Sequence, residues 1–136
     1  MLIHFELSRL SDGMLGMMLE STLDEEKQRA NSPLLRAMQT ALADEELRRV
    51  ALRAGKEAGG PVRLILPLMD REEIASALGH LTKETLAFET AANGAKDLDP
   101  ILSAEYRTAA EFCCAVGTAL KEGWRGLAVA QSGAPN

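Results

Sequence analysis

Cysteine is nearly absent: the 136-residue chain has two, Cys113 and Cys114, and they are adjacent. Neighbouring residues bridge only through a strained ring, so a disulfide framework is excluded and reduced thiols are expected. Long apolar runs are missing as well, none approaching the roughly 18 residues needed to cross a bilayer. The opening Met1-Leu2-Ile3-His4-Phe5-Glu6-Leu7 lacks the basic residues of a secretory leader and reaches Glu6 before a long apolar stretch forms. A cytoplasmic, membrane-free chain is expected, in a host's cytoplasm if a virus or mobile element encodes it. Positive charge is also in deficit, with 15 Lys and Arg against 20 Asp and Glu for a net charge of −5. Such a chain repels a polyphosphate unless its bases gather on one face, which disfavours nucleic acid as a partner.

Motifs that carry chemistry are missing too. Neither His4 nor His80 has a carboxylate or histidine at the spacing of a metal motif, so each is expected to be solvated or hydrogen-bonded. Gly55, Gly59 and Gly60 close a helix instead of opening one after a strand, and Gly13-Met14-Leu15-Gly16 lacks the rest of a dinucleotide fingerprint. No nucleophile with its base can be nominated. The expectation is a protein with no catalytic, cofactor-binding or metal-ligating residue, and not an enzyme.

What is present is an ordinary globular composition, 46% hydrophobic and 26% charged, long enough for one hydrophobic core and one domain over 1–136. Within it, one series of structural signals is written twice. Ile3, Phe5 and Leu7 alternate as one face of a strand, and Val62, Leu64 and Leu66 repeat the pattern 59 residues later. At the same shift Ser11 falls on Asp70, each an N-cap candidate, and Leu15, Met18, Leu19 and Thr22 fall on Ile74, Ala77, Leu78 and Leu81. The match resumes at a shift of 67, where Ser32-Pro33 and Asp99-Pro100 both read as a capping residue followed by proline at the first helical position. Pro33, Leu35, Ala37 and Ala43 find identical partners there.

The fold class expected is therefore α+β, predominantly helical. It is a tandem strand–helix–helix repeat, 2–58 and 62–122, with a two-stranded antiparallel ribbon packed on four helices. The ribbon's inward face carries the six apolar strand residues. The second and fourth helices are expected to end near Ala58 and Glu122, stopped by Gly59-Gly60 and Gly123. Residues 123–136 lie outside both units as a partly flexible segment, with Trp124, Leu127 and Val129 able to fold back on the core.

The helices differ in what they offer. The one after Asp70 has a single apolar stripe, Ile74, Ala77, Leu78, Leu81, Thr85 and Phe88, opposite a solvated side with Arg71, Lys83 and Glu84. The last helix repeats this with Leu102, Ala109, Cys113, Val116 and Leu120, which makes Cys113 a small core hydrophobe. The first helix has no polar side from Met14 to Leu19. Met14, Met17 and Met18 are thus the candidate protein interface, and a two-fold homodimer is the expected use. The helix from Pro33 begins with Leu35, Met38 and Leu42, and its apolar face then rotates across Asp44-Glu45-Glu46 to Leu47, Val50, Ala54 and Ala58. Asp44 is expected to pair with Arg48, and Glu45 with Arg49, on an exposed helix. Arg48, Arg49, Arg53 and Lys56 form the candidate basic contact, an arrangement that also complements the helix dipole.

These features favour a non-enzymatic protein-binding module, an adaptor or inhibitor acting through helical surface. Two other readings stand beside it. One is a small-ligand-binding or catalytic domain with its pocket between the half-units, favoured by polar groups there. The other is a nucleic-acid-associated regulator using the basic half of helix 33–58.

Overall fold

The computed structural model describes residues 1–28 and 32–131, the side chains of 25–28 and 127–131 excepted. Among the described residues the order is β1 (Leu2–Glu6), a 3-10 turn (Leu7–Arg9), α1 (Asp12–Gln28), α2 (Pro33–Arg53), β2 (Arg63–Ile65), α3 (Arg71–Ala95) and α4 (Pro100–Gln131). This is a predominantly helical α+β arrangement with one two-stranded antiparallel sheet. None of the described helices is long and apolar enough to cross a membrane.

Each helix starts at the residue whose side chain can cap it. Ser11 Oγ accepts from the Met14 amide at 3.1 Å, Ser32 Oγ from Leu35 at 3.4 Å and Asp99 Oδ1 from Leu102 at 3.0 Å. At α3 the cap is reciprocal: the Glu73 amide donates to Asp70 Oδ1 at 2.8 Å and the Asp70 amide donates to Glu73 Oε1 at 3.0 Å. Each such bond satisfies an amide that the helix leaves unpaired, worth about 1 kcal/mol.

The sheet joins residues far apart in sequence through a register that shifts part-way. Leu2 faces Ile65 and Glu6 faces Arg63, so four steps along β1 match two along β2. The offset of two keeps every side chain on its own face, where an offset of one would turn the apolar set outward. Ile3, Phe5, Leu7, Leu64 and Leu66 are accordingly buried, and Val62 is partly buried. The layers cross over: β1 lies against α4 and β2 against α2, while α1 packs on α2 and α3 on α4 as two helical hairpins. Phe5 meets Phe112 of α4 with ring centroids 5.1 Å apart, an edge-tilted aromatic pair at the centre of the core.

Two helix ends differ from the glycine stops read in the sequence. α2 ends at Arg53, before Ala58, because Gly55 takes a left-handed conformation with φ of 71°. The amide of Lys56 then donates to Ala51 O at 2.9 Å and that of Gly55 to Leu52 O at 3.1 Å, the paired bonds of a Schellman cap. Gly59 and Gly60 belong to the loop beyond. α4 in contrast runs through Gly123 to Gln131. A Cβ at Gly123 would sit 3.1 Å from the Met1 methyl, so this glycine gives room to a neighbouring side chain and does not end the helix. Trp124, half-buried, packs at the core's edge with the Arg71 guanidinium 4.6 Å from its ring centre. Leu127, Val129 and residues 132–136 fall outside the described side chains.

Candidate functional site

The outward side of α2 is the first feature of interest, because its apolar face does not rotate inward. The buried line continues straight from Leu35, Met38 and Leu42 to Glu45, which is 0% exposed. Leu47 and Val50, read in the sequence as the rotated continuation of that apolar face, are 67% and 50% exposed. With Thr40, Ala43 and Ala54 they recur at alternating steps of three and four residues, the spacing of a coiled-coil seam. Thr40 also borders an open groove of about 640 Å³ between α2 and β2, on whose rim Ile65 and Leu68 project into solvent.

The burial of Glu45 explains what happens to the arginines. Arg48 Nη1 donates to Glu45 Oε1 at 3.0 Å, and Arg48 Nε donates to Gly59 O at 3.1 Å, which ties the loop after α2 back to the helix. Arg49 Nη2 donates to Leu7 O at 3.0 Å and Leu10 O at 2.6 Å, while its Nη1 reaches Asp12 Oδ1 at 2.9 Å. Its Nε lies 3.8 Å from Glu45 Oε1. Arg53 pairs with the other Asp12 oxygen at 3.6 Å. The expected Asp44–Arg48 pair is therefore replaced by Glu45–Arg48, and Glu45 is enclosed instead of lying on an exposed helix. Of the four proposed basic contacts, Arg48 and Arg49 are partly buried clamps on the chain's own carbonyls, Arg53 faces a carboxylate, and Lys56 lies exposed in the loop. Glu45 Oε2 is the single fully buried side-chain oxygen or nitrogen among the described residues without a hydrogen-bond partner.

The methionines of α1 divide in the same way. Met14 and Met18 are buried in the chain's own core, whereas Met17 is 42% exposed. Met17 and Met18 border a crevice of about 200 Å³ between the two hairpins. Met38 of α2 lines it from one side; His80, Glu84 and Phe88 of α3 and Cys113 of α4 line it from the other. His80 is 7% exposed and forms no hydrogen bond to a described residue, and neither ring nitrogen is a fully buried atom without a partner, so both keep some access to solvent at the crevice. Glu84, read as part of a solvated side, is half-buried at the crevice. Burial pushes the Cys113 thiol from 9.0 up to about 12, with the negative charges of Glu84 and of a Cys114 thiolate adding to the effect. Cys113 is thus a protonated core side chain, and Cys114 beside it is exposed. Among the described residues no group of three or more His, Cys, Asp or Glu is disposed to hold a metal ion.

The sequence carried a signal for the buried carboxylate. Continuing the Leu35–Met38–Leu42 line by the same steps leads to Glu45 and then Arg49. The signal for His80 was weaker, since its neighbours in the crevice come from three other helices. Compared with protein-family models, curated proteins and solved structures, the chain shows no significant match in any of the three.

Proposed function

We propose that the chain is a cytoplasmic, non-enzymatic protein-binding module, an adaptor or inhibitor, and that it presents the outward side of α2 to a partner helix. The observation that carries this reading is the exposed seam of Leu47 and Val50 at coiled-coil spacing, with no internal surface to cover it. An apolar seam of this kind fits an amphipathic helix laid along it. The flanking residues Asp44, Glu46 and Arg53 are exposed and supply a polar rim. A nucleic-acid role has less support, because Arg48, Arg49 and Arg53 face acceptors of this chain.

The module is built, on this reading, from a tandem strand–helix–helix unit. The element order supports this, as do the matching starts at Ser32-Pro33 and Asp99-Pro100. The partner helix comes from another protein or from a second copy of the chain, which would make a two-fold homodimer. A double Leu47→Glu, Val50→Glu variant tests the proposal, with circular dichroism as the folding control. Quantitative cross-linking and capture from the native cell should recover a set of proteins with wild type and lose it with the variant, and light scattering reads the self-association case. Equal recovery and equal mass for the two proteins would overturn the assignment of this face.

A further inference from the structure

The crevice between the hairpins stands apart from the α2 seam and combines three properties. Much of its wall is soft and apolar: Met17, Met18, Met38 and the Phe88 ring line it beside Ser21 and Thr22, and the Phe88 ring is backed by Tyr106 at 6.4 Å. Unbranched thioethers adapt to irregular shapes, so such walls can close around a small body. One polar side chain within it lacks a partner in the described protein. His80 is more than nine-tenths buried and makes no hydrogen bond to a described residue, so its imidazole faces the cavity with no protein partner and meets only what enters the crevice. A single formal charge lies on the wall, the carboxylate of Glu84, one helical turn after His80 and on the same side of α3. No lysine or arginine lines the crevice.

We propose that this crevice binds a compact hydrophobic amine, its ammonium held between Glu84 and His80 and its apolar body lodged against the methionines. The charge decides the class. A carboxylate ligand would meet Glu84 with like charge in a partly desolvated site, and a hydrocarbon would leave His80 without a partner. An ammonium donates to the Glu84 carboxylate and to the free imidazole nitrogen, and the Phe88 face adds a favourable cation–π contact. The cavity of about 200 Å³ restricts the body to a single ring or a short branched chain.

Benzylamine is the probe, followed by methyl resonances of methionine-labelled protein. Saturable shifts should appear at Met17, Met18 and Met38 and not at Met69, which is buried elsewhere in the core and absent from the crevice. Glu84→Gln, a shape-preserving change at a half-buried position, should weaken binding about tenfold or more, the scale of one charged hydrogen bond. Benzoate, of similar shape and opposite charge, should bind at least as much more weakly. The proposal is overturned by any of three results: benzoate matching benzylamine, an unchanged affinity in a folded Glu84→Gln protein, or no saturable shift at the three methionines with millimolar probe.

Discussion

Arg49→Met is the substitution that best separates a structural from a surface role for the basic end of α2. The side chain is 14% exposed and holds two carbonyls, Leu7 O and Leu10 O, in residues sealed within the core. Methionine replaces the aliphatic stem and removes the guanidinium, so both carbonyls lose a charged donor, each bond being worth about 1.5–3 kcal/mol. Glu45 is left with Arg48 as its ion partner while remaining fully enclosed, and stranding part of a buried pair costs on the order of 3–5 kcal/mol. These contributions overlap, since one group makes them all, and the Asp12 contact adds little because that carboxylate is mostly exposed. A total of roughly 3–5 kcal/mol results, against a domain stability of about 5–15 kcal/mol. Urea unfolding followed by circular dichroism should show a midpoint lowered accordingly with an unchanged slope, and a melting temperature down by roughly 10–20 °C. Arg53→Met is the control: its pair with Asp12 is exposed on both sides and should contribute under about 0.5 kcal/mol. A loss below about 1 kcal/mol for Arg49→Met, or one equal to that of Arg53→Met, would refute the clamp.

Three further outcomes follow from the same geometry. Cys113→Ala should cost roughly 1 kcal/mol or somewhat more and Cys114→Ala less; in the native state a thiol reagent should modify Cys114 and spare Cys113. Because the folded Cys113 pKa of about 12 lies above the ordinary 9.0, the unfolded state releases its proton first, so stability falls as pH rises from about 9 towards 12. Subtracting the Cys113→Ala profile from wild type isolates that slope, and identical profiles would contradict it. Gly55→Ala should destabilise by about 1–2 kcal/mol, read by thermal melting, since an L-residue is strained at a φ of 71°. Met17→Glu should leave helix content intact because that side chain is 42% exposed; if its side of α1 forms a two-fold contact, light scattering should register dimer for wild type and monomer for the variant, and a wild type monomeric at micromolar concentrations excludes that contact.

Features set by neighbours in sequence were legible beforehand. Ser11, Ser32, Asp70 and Asp99 cap their helices through bonds to an amide three residues on, so each could be read from a short window. The alternation of Ile3, Phe5 and Leu7 identified the buried face of a strand because that period is two. The second half of α2 was misread for the opposite reason. Hydrophobicity pointed the helix towards Leu47 and Val50, yet the inward line followed helical geometry to Glu45 and Arg49, whose acceptors include residues about forty positions away. A polar pair that meets its partners only after folding looks from sequence like solvated surface. The helix stop failed similarly: three glycines lay within six residues, and which one turned left-handed was decided by where the Schellman bonds could close. His80 became unusual through α1, α2 and α4 arriving around it.

The two-stranded ribbon governs what happens when the chain is cut or exchanged. One strand precedes α1 and the other follows α2, and each lies against a helix of the opposite hairpin, β1 on α4 and β2 on α2. Severed in the glycine-bearing loop at 55–60, the two pieces would each present a lone strand and an open apolar face, and would reach a complete core only by finding each other. The same arithmetic holds between two intact molecules. Shortening that loop until it no longer lets the chain double back would leave every native contact available between neighbours, so a reciprocally exchanged pair would form where a monomer had been.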